Sequence, residues 1–208
     1  FSQDVPNGKA LIKSALEKGE ITENRLAESV KKILKTKYLL GLQNLKSINS
    51  ENINEDLNNA SHAELSEKLY SNAITLLKDE KNLLPLSCSE TYYYLPLEEA
   101  PFQTFVENLN LGTTVKLISK NEIAQIPENS TVIVGFHKDN STAYKPYKIS
   151  QESKDILAEL SKKQNVILDV FGSPYALKDV DISTISTVLV SYENNDLSLK
   201  ASAKAVLG

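Results

Sequence analysis

The chain has 208 residues, 41% of them apolar and 24% charged, with a net charge of −4. That length and balance support a sizeable core without metal or disulfide staples, and the lone Cys88 excludes an internal disulfide and a thiolate metal cluster. The acidic balance and the lack of clustered Lys and Arg argue against a nucleic-acid partner, and no apolar run approaches the roughly 18 residues of a membrane span.

Pro6 and Asn7-Gly8 read as a loop leading into a first helix over Lys9 to Lys18. Leu11, Ile12, Ala15 and Leu16 share one stripe of it, and Gly19 ends it. Thr22 caps a second helix, with Glu23 in the first turn and Leu26, Val30, Ile33, Leu34 and Tyr38 as its apolar face; Gly41 stops it. Two helices of this size cannot form a stable unit by covering each other, so they need a larger surface to pack on. The chain starts at Phe1 and contains no methionine. The expectation is an excised or processed piece, with a strand preceding the first helix, and the missing signal peptide leaves the compartment undetermined.

Residues 43–60, rich in Asn, Ser and acid, read as a linker without helix or strand. A second domain is predicted from Ser61, where Ser61-His62-Ala63-Glu64 has the form of a capping box. Leu65, Leu69 and Ala73 continue that helix, the short apolar run Ile74 to Leu77 follows, and a turn lies over Asp79 to Asn82. Strands and helices then alternate. Strands are predicted at Tyr92 to Leu95, at Val115 and Leu117 (a sheet edge), at Val132 to Val134, at Val166 to Phe171 and at Val188 to Val190. Helices are predicted at Phe102 to Leu109, from Ser150 with Ile156, Leu157 and Leu160 inward, and over Leu197 to Leu207. The fold class is α/β, with a mostly parallel sheet of about six strands flanked by helices.

Three segments resemble glycoside hydrolase family 3. Lys18-Gly19-Glu20-Ile21-Thr22, continuing through Arg25, Leu26, Ser29, Val30, Ile33, Leu34, Lys37 and Gly41-Leu42, resembles the last helical stretch of the family's catalytic (β/α)8 barrel. Ala73-Ile74-Thr75-Leu76-Leu77-Lys78 followed by Leu84-Pro85-Leu86 resembles the opening of its C-terminal domain and is the most specific of the three. Phe171-Gly172-Ser173-Pro174, Ser191-Tyr192-Glu193-Asn194 and Ala205-Val206-Leu207-Gly208 resemble the end of that domain. The Tyr-Glu-Asn form and the two-helix lead-in are most similar to bacterial β-N-acetylglucosaminidases.

The resemblance implies that residues 1–42 close a truncated barrel, 43–60 link, and 61–208 form a non-catalytic α/β sandwich domain. The parent enzyme would hydrolyse terminal β-N-acetylglucosaminides, or β-glucosides, with retention, which needs two catalytic groups about 5 Å apart. Family members use an aspartate nucleophile late in the barrel, and the N-acetylglucosaminidase branch adds a His-Asp dyad near a K-H-F-P-G loop; neither motif occurs in this sequence. No catalytic residue is therefore assigned, and no cofactor or metal is implied. The implied partners are the parent's catalytic barrel and its carbohydrate substrate, and the implied locations of the parent are periplasm, cell surface or exterior.

Three residues are candidates for the substrate rim. His137 follows an apolar strand, and ligands of α/β sheets bind at carboxyl ends; the blander reading, an exposed loop histidine, is preferred. Asp4 sits where the chain would leave the last barrel strand, at the face where barrel sites gather; an ordinary helix cap is preferred. Glu193, after the last strand, could face the barrel, but a turn or domain-interface role is preferred. His62 reads as a helix-surface residue, and Tyr92-Tyr93-Tyr94 as a buried strand rather than a sugar platform. The competing functions are a free-standing flavodoxin-like domain and a carbohydrate-binding module. The module would bind N-acetylglucosamine oligomers on its own; the accessory domain would not, and would show a broad apolar face.

Overall fold

Asp4 begins the first helix, its Oδ1 accepting the Asn7 N–H at 3.0 Å. Pro6 stands in the opening turn, where a missing N–H leaves no bond unmade. The helix therefore starts earlier than Lys9: Pro6, Asn7 and Gly8 are its first turn and not a loop. The computed structural model describes residues 3–47, 49–142 and 144–208; Phe1 and Ile48, inside the predicted barrel tail and linker, lie outside them.

The chain divides into two units between Asp56 and Leu57. In the first, α1 (Val5–Glu17) and α2 (Glu23–Leu39) have no buried residue. Thr22 caps α2 through the Arg25 N–H at 3.1 Å, and Gly19 and Gly41 take the left-handed conformations that end the two helices. The stripe Val30, Ile33, Leu34 and Tyr38 is exposed along its length, as are Leu11 and Ile12 of α1. The 43–60 segment is not wholly irregular: a 3-10 turn spans Leu42–Asn44 and α3 spans Ile53–Leu57.

In the second unit, α4 (Ala60–Ala73) is capped by Asn59, whose Oδ1 accepts the His62 N–H at 3.1 Å. Ser61 is thus inside the helix and its capping box is not formed; its hydroxyl bonds Asn59 Oδ1 at 2.6 Å instead. Asn is as good a cap as Ser, and it stands two positions earlier, so the helix gains two residues, about half a turn. Six strands follow: β1 (Thr75–Asp79), β2 (Thr91–Leu97), β3 (Thr114–Leu117), β4 (Thr131–His137), β5 (Asn165–Phe171) and β6 (Thr187–Val190). They form one sheet in the order β1-β6-β5-β4-β2-β3. All pairs are parallel except β1 with β6. The turn after β1 is held by Asp79, whose carboxylate accepts the N–H groups of Leu83 and Leu84 and the Thr187 hydroxyl at 2.9, 3.2 and 2.7 Å.

Both faces of the sheet are covered. One packs Leu95, Val134, Phe136, Leu168 and Val170 under α6 (Gln151–Leu160). The other packs Tyr94, Ile133, Ile167 and Phe171 under α5 (Gln103–Leu109) and α7 (Asp196–Leu207), and α4 lies against α7. Each such fully buried aliphatic or aromatic side chain contributes about 1.5–3 kcal/mol. This is why the central strands read as unbroken apolar runs, while β3, at the edge, alternates.

Candidate functional site

The strand order reverses between β2 and β4, because β3 returns to the outer side of β2 before the chain crosses to β4. In open α/β sheets a ligand crevice forms at the carboxyl ends beside such a reversal. Here the position is filled from within. Glu98 and Glu99 follow β2, and Lys138 follows β4. Lys138 Nζ donates to Glu98 Oε2 at 3.1 Å and Glu99 Oε2 at 2.8 Å, and the Lys138 and Glu98 side chains are only 6% and 5% exposed. Ser150, the cap of α6, donates its N–H and hydroxyl to Glu98 Oε1 at 3.0 and 2.8 Å. Burial pulls the Lys138 pKa down, but its bonds to the two carboxylates outweigh that and hold it raised. A phosphate would meet two carboxylates here and no glycine-rich loop, so the crevice does not suit a flavin or nucleotide.

The face of the sheet under α5 and α7 carries a buried polar chain. His137, expected as an exposed loop residue, is fully buried at the end of β4. Its ring stacks on Phe171, centroids 4.6 Å apart. Asn194 Nδ2 donates to the Pro101 carbonyl at 2.8 Å, which turns Asn194 Oδ1 toward His137 Nδ1 at 2.6 Å. Nδ1 is therefore the protonated nitrogen, and Nε2 accepts from the Tyr94 hydroxyl. Both ring nitrogens of a neutral imidazole are satisfied, and burial lowers the His137 pKa to about 4. Gly135 makes the pairing possible: a Cβ there would collide with both His137 Nε2 and the Tyr94 hydroxyl.

Beside Gly135 in the sheet register lies Asp169 of β5, fully buried. Ser191 donates to its Oδ1 at 2.7 Å, and the Ser202 hydroxyl of α7 donates to Oδ2. Burial pushes its carboxyl up to about 6 despite these bonds. Ser198 adds a bond from α7 to the Ser191 carbonyl at 2.6 Å. Sequence reading passed over this group; its signal is the single acid inside the run Val166-Ile167-Leu168-Asp169-Val170-Phe171.

Glu193 is exposed on the loop between β6 and α7, next to the Asn194 that binds His137. The loop thus brings two candidates close together. Asp4 belongs to the other unit, where it caps α1. His62 accepts no role beyond its helix end, its Nδ1 lying 3.1 Å from the Leu57 carbonyl. Tyr92 and Tyr94 are buried strand residues, which leaves no exposed platform from that pair. Among the described residues no group of three or more His, Cys, Asp or Glu is placed to hold a metal ion. These clusters of the second unit are buried polar groups satisfied among themselves, and of the three rim candidates Glu193 is the carboxylate this unit turns to solvent.

No known protein-family profile matches the chain. Among curated proteins it is similar to β-glucosidase C of Emericella nidulans, 26% identical over 187 residues. That match takes in 88% of this chain but only 29% of the fungal protein. A solved β-glucoside phosphorylase shares the fold over 100% of this chain and 40% of its own, with a TM-score of 0.69 and 20% identity. A family 3 β-N-acetylglucosaminidase from Paenibacillus sp. str. FPU-7 does so over 94% and 39%, with a TM-score of 0.57 and 20% identity. The matched relatives and fold neighbours are glycoside hydrolase family 3 proteins. The chain spans less than a third of the length of the curated relatives it matches.

Proposed function

We propose that this chain is the C-terminal part of a glycoside hydrolase family 3 enzyme. Residues 1–42 end its catalytic barrel, 43–60 link, and 61–208 are an accessory α/β domain that carries no catalytic group. One observation carries the reading: the similarity runs through nearly all of this chain and through only a small part of a full-length β-glucosidase. The exposed apolar stripe of α2 supports it, since Val30, Ile33, Leu34 and Tyr38 have the spacing of a helix face built to be covered. The closed crevice at Glu98, Glu99 and Lys138 disfavours the flavodoxin-like alternative.

The substrate of the whole enzyme is a terminal β-N-acetylglucosaminide, cleaved with retention. The sequence form Tyr192-Glu193-Asn194 supports that sugar. A β-glucoside is the second reading, favoured by the name of the Emericella relative.

The test compares the 208-residue chain with the protein extended on its N-terminal side. The extended protein is expected to release the chromophore from an aryl N-acetyl-β-glucosaminide faster than from the aryl β-glucoside, and the short chain from neither. Turnover by the short chain that a point mutation within it abolishes would overturn the accessory role. Preference for the aryl β-glucoside would replace the sugar.

A further inference from the structure

The loop after β6 builds a hollow of about 320 Å3 against α4, lined by Leu69, Tyr70, Ala73, Ser191, Tyr192 and Glu193. Tyr192 holds a left-handed backbone, φ +63°, which residues with a Cβ rarely adopt. It is tied there at both ends: its hydroxyl lies 2.9 Å from Thr75 Oγ1, and its carbonyl accepts from Asn140 Nδ2 at 3.1 Å. Its ring is thereby fixed at the hollow while remaining 37% exposed.

The Glu193 carboxylate is aimed by one oxygen only. Oε2 accepts from the Tyr70 hydroxyl and from Asn195 Nδ2, both at 2.7 Å, and Asn195 Nδ2 also reaches the Tyr70 oxygen at 2.8 Å. The Tyr70 pKa is raised, first by its bond to Glu193, as expected of a phenol that donates to a carboxylate. Oε1 accepts no hydrogen bond from the described residues. The hollow thus presents one free anionic acceptor, two tyrosine rings, and the apolar side chains of Leu69 and Ala73. Among the described residues it presents no free side-chain donor: the Tyr70 hydroxyl is spent on Glu193, the Ser191 hydroxyl on Asp169 and the Thr75 hydroxyl on the Ala73 carbonyl at 2.9 Å, which leaves Tyr192 to donate to Thr75. A pyranose, whose hydroxyls need donors and acceptors around the ring, is poorly matched. An alkyl cation is well matched, since it needs an acceptor, an aromatic face and an apolar wall for its stem.

We propose that this hollow is a socket for an Arg or Lys side chain of an adjoining protein domain. The cationic head pairs with Glu193 Oε1 beside Tyr70 and Tyr192, and the aliphatic stem lies along Leu69 and Ala73. The proposal rests on the accessory-domain reading, which supplies the neighbour, and it gives Glu193 an interface role in place of a substrate contact.

The test titrates the 208-residue chain with n-butylguanidinium chloride and follows backbone amide shifts by NMR at low salt. Saturable shifts are expected at residues 69–73 and 191–195, with binding about fivefold weaker in Glu193→Gln and weakened by added salt. Neutral n-butylurea is expected to give no saturable shift there. Tyr70→Phe, which keeps the ring and removes one donor to Oε2, should still bind. Three results would overturn the socket: no saturable shift with the guanidinium, equal binding by butylurea or by Glu193→Gln, or tighter binding of methyl N-acetyl-β-glucosaminide at the same residues. The outcome is separable from the enzyme reading. Guanidinium binding alongside an extended protein inactive on glycosides keeps the socket and removes the reading; the converse removes the socket alone.

Discussion

His137 Nδ1 and Asn194 Oδ1 lie 2.6 Å apart, and this bond ties the end of β4 to the loop that carries Tyr192 and Glu193. Asn194→Ala leaves the buried Nδ1–H without an acceptor, which costs about 1–3 kcal/mol. Urea unfolding should show that loss. Asn194→Asp retains the acceptor and adds a charge beside the ring, so an NMR titration should find the His137 pKa higher than in the parent chain.

The two buried titrating groups have opposite linkages to pH. The folded pKa of His137 is depressed from 6.5 to about 4, so the stability it confers is present above pH 6.5 and is lost as pH falls toward 4. The folded pKa of Asp169 is raised from 3.8 to about 6, so its contribution is present below pH 3.8 and is lost as pH rises through 6. Each amounts to about 3 kcal/mol at full effect. In the window between pH 4 and 6 they oppose each other, and the stability of the parent chain should change little on their account. Asp169→Asn should expose the histidine's linkage, with urea midpoints falling on acidification. His137→Gln should expose the aspartate's, with midpoints rising on acidification.

Gly135→Ala tests the packing of this face directly. The added methyl meets the His137 ring and the Tyr94 hydroxyl in a fully buried position. Overpacking of this kind costs about 1–3 kcal/mol. Thermal unfolding should report the loss, and a changed environment of the His137 ring protons in NMR would locate it.

The apolar stripe of α2 makes a prediction for the chain in solution. With Ile33 56%, Leu34 57% and Tyr38 67% exposed, the 208-residue chain should self-associate with rising concentration. Sedimentation velocity should show it, and Leu34→Glu should reduce it without lowering the stability of the second unit.

Local order in the chain was largely legible from residue pattern. The strands Val132 to Val134 and Val166 to Phe171 were recognisable as doubly covered, because a central parallel strand buries both faces and needs apolar residues at every position. Thr22, Gly19 and Gly41 marked helix ends through backbone chemistry that acts within a few residues. Where two local signals competed, pattern alone chose wrongly. Pro6 and Asn7-Gly8 suit a loop as well as a first helical turn, and Ser61 suits a cap until Asn59 takes the position.

The candidate site was decided by contacts distant in sequence. His137 follows its strand as a loop histidine would, and only the return of Asn194, Tyr94 and Phe171 to the same end of the sheet buries it. The orientation of Glu193 likewise depends on Tyr70, 123 positions away, which with the neighbouring Asn195 claims Oε2. The sequence by itself determined the central strands, the main helices and a mostly parallel sheet, since those follow from periodicity and short-range caps, but it missed the short α3 inside the linker. The tertiary structure decided which polar groups are buried, paired or left open, because burial and hydrogen bonding are set by neighbours that no local pattern names.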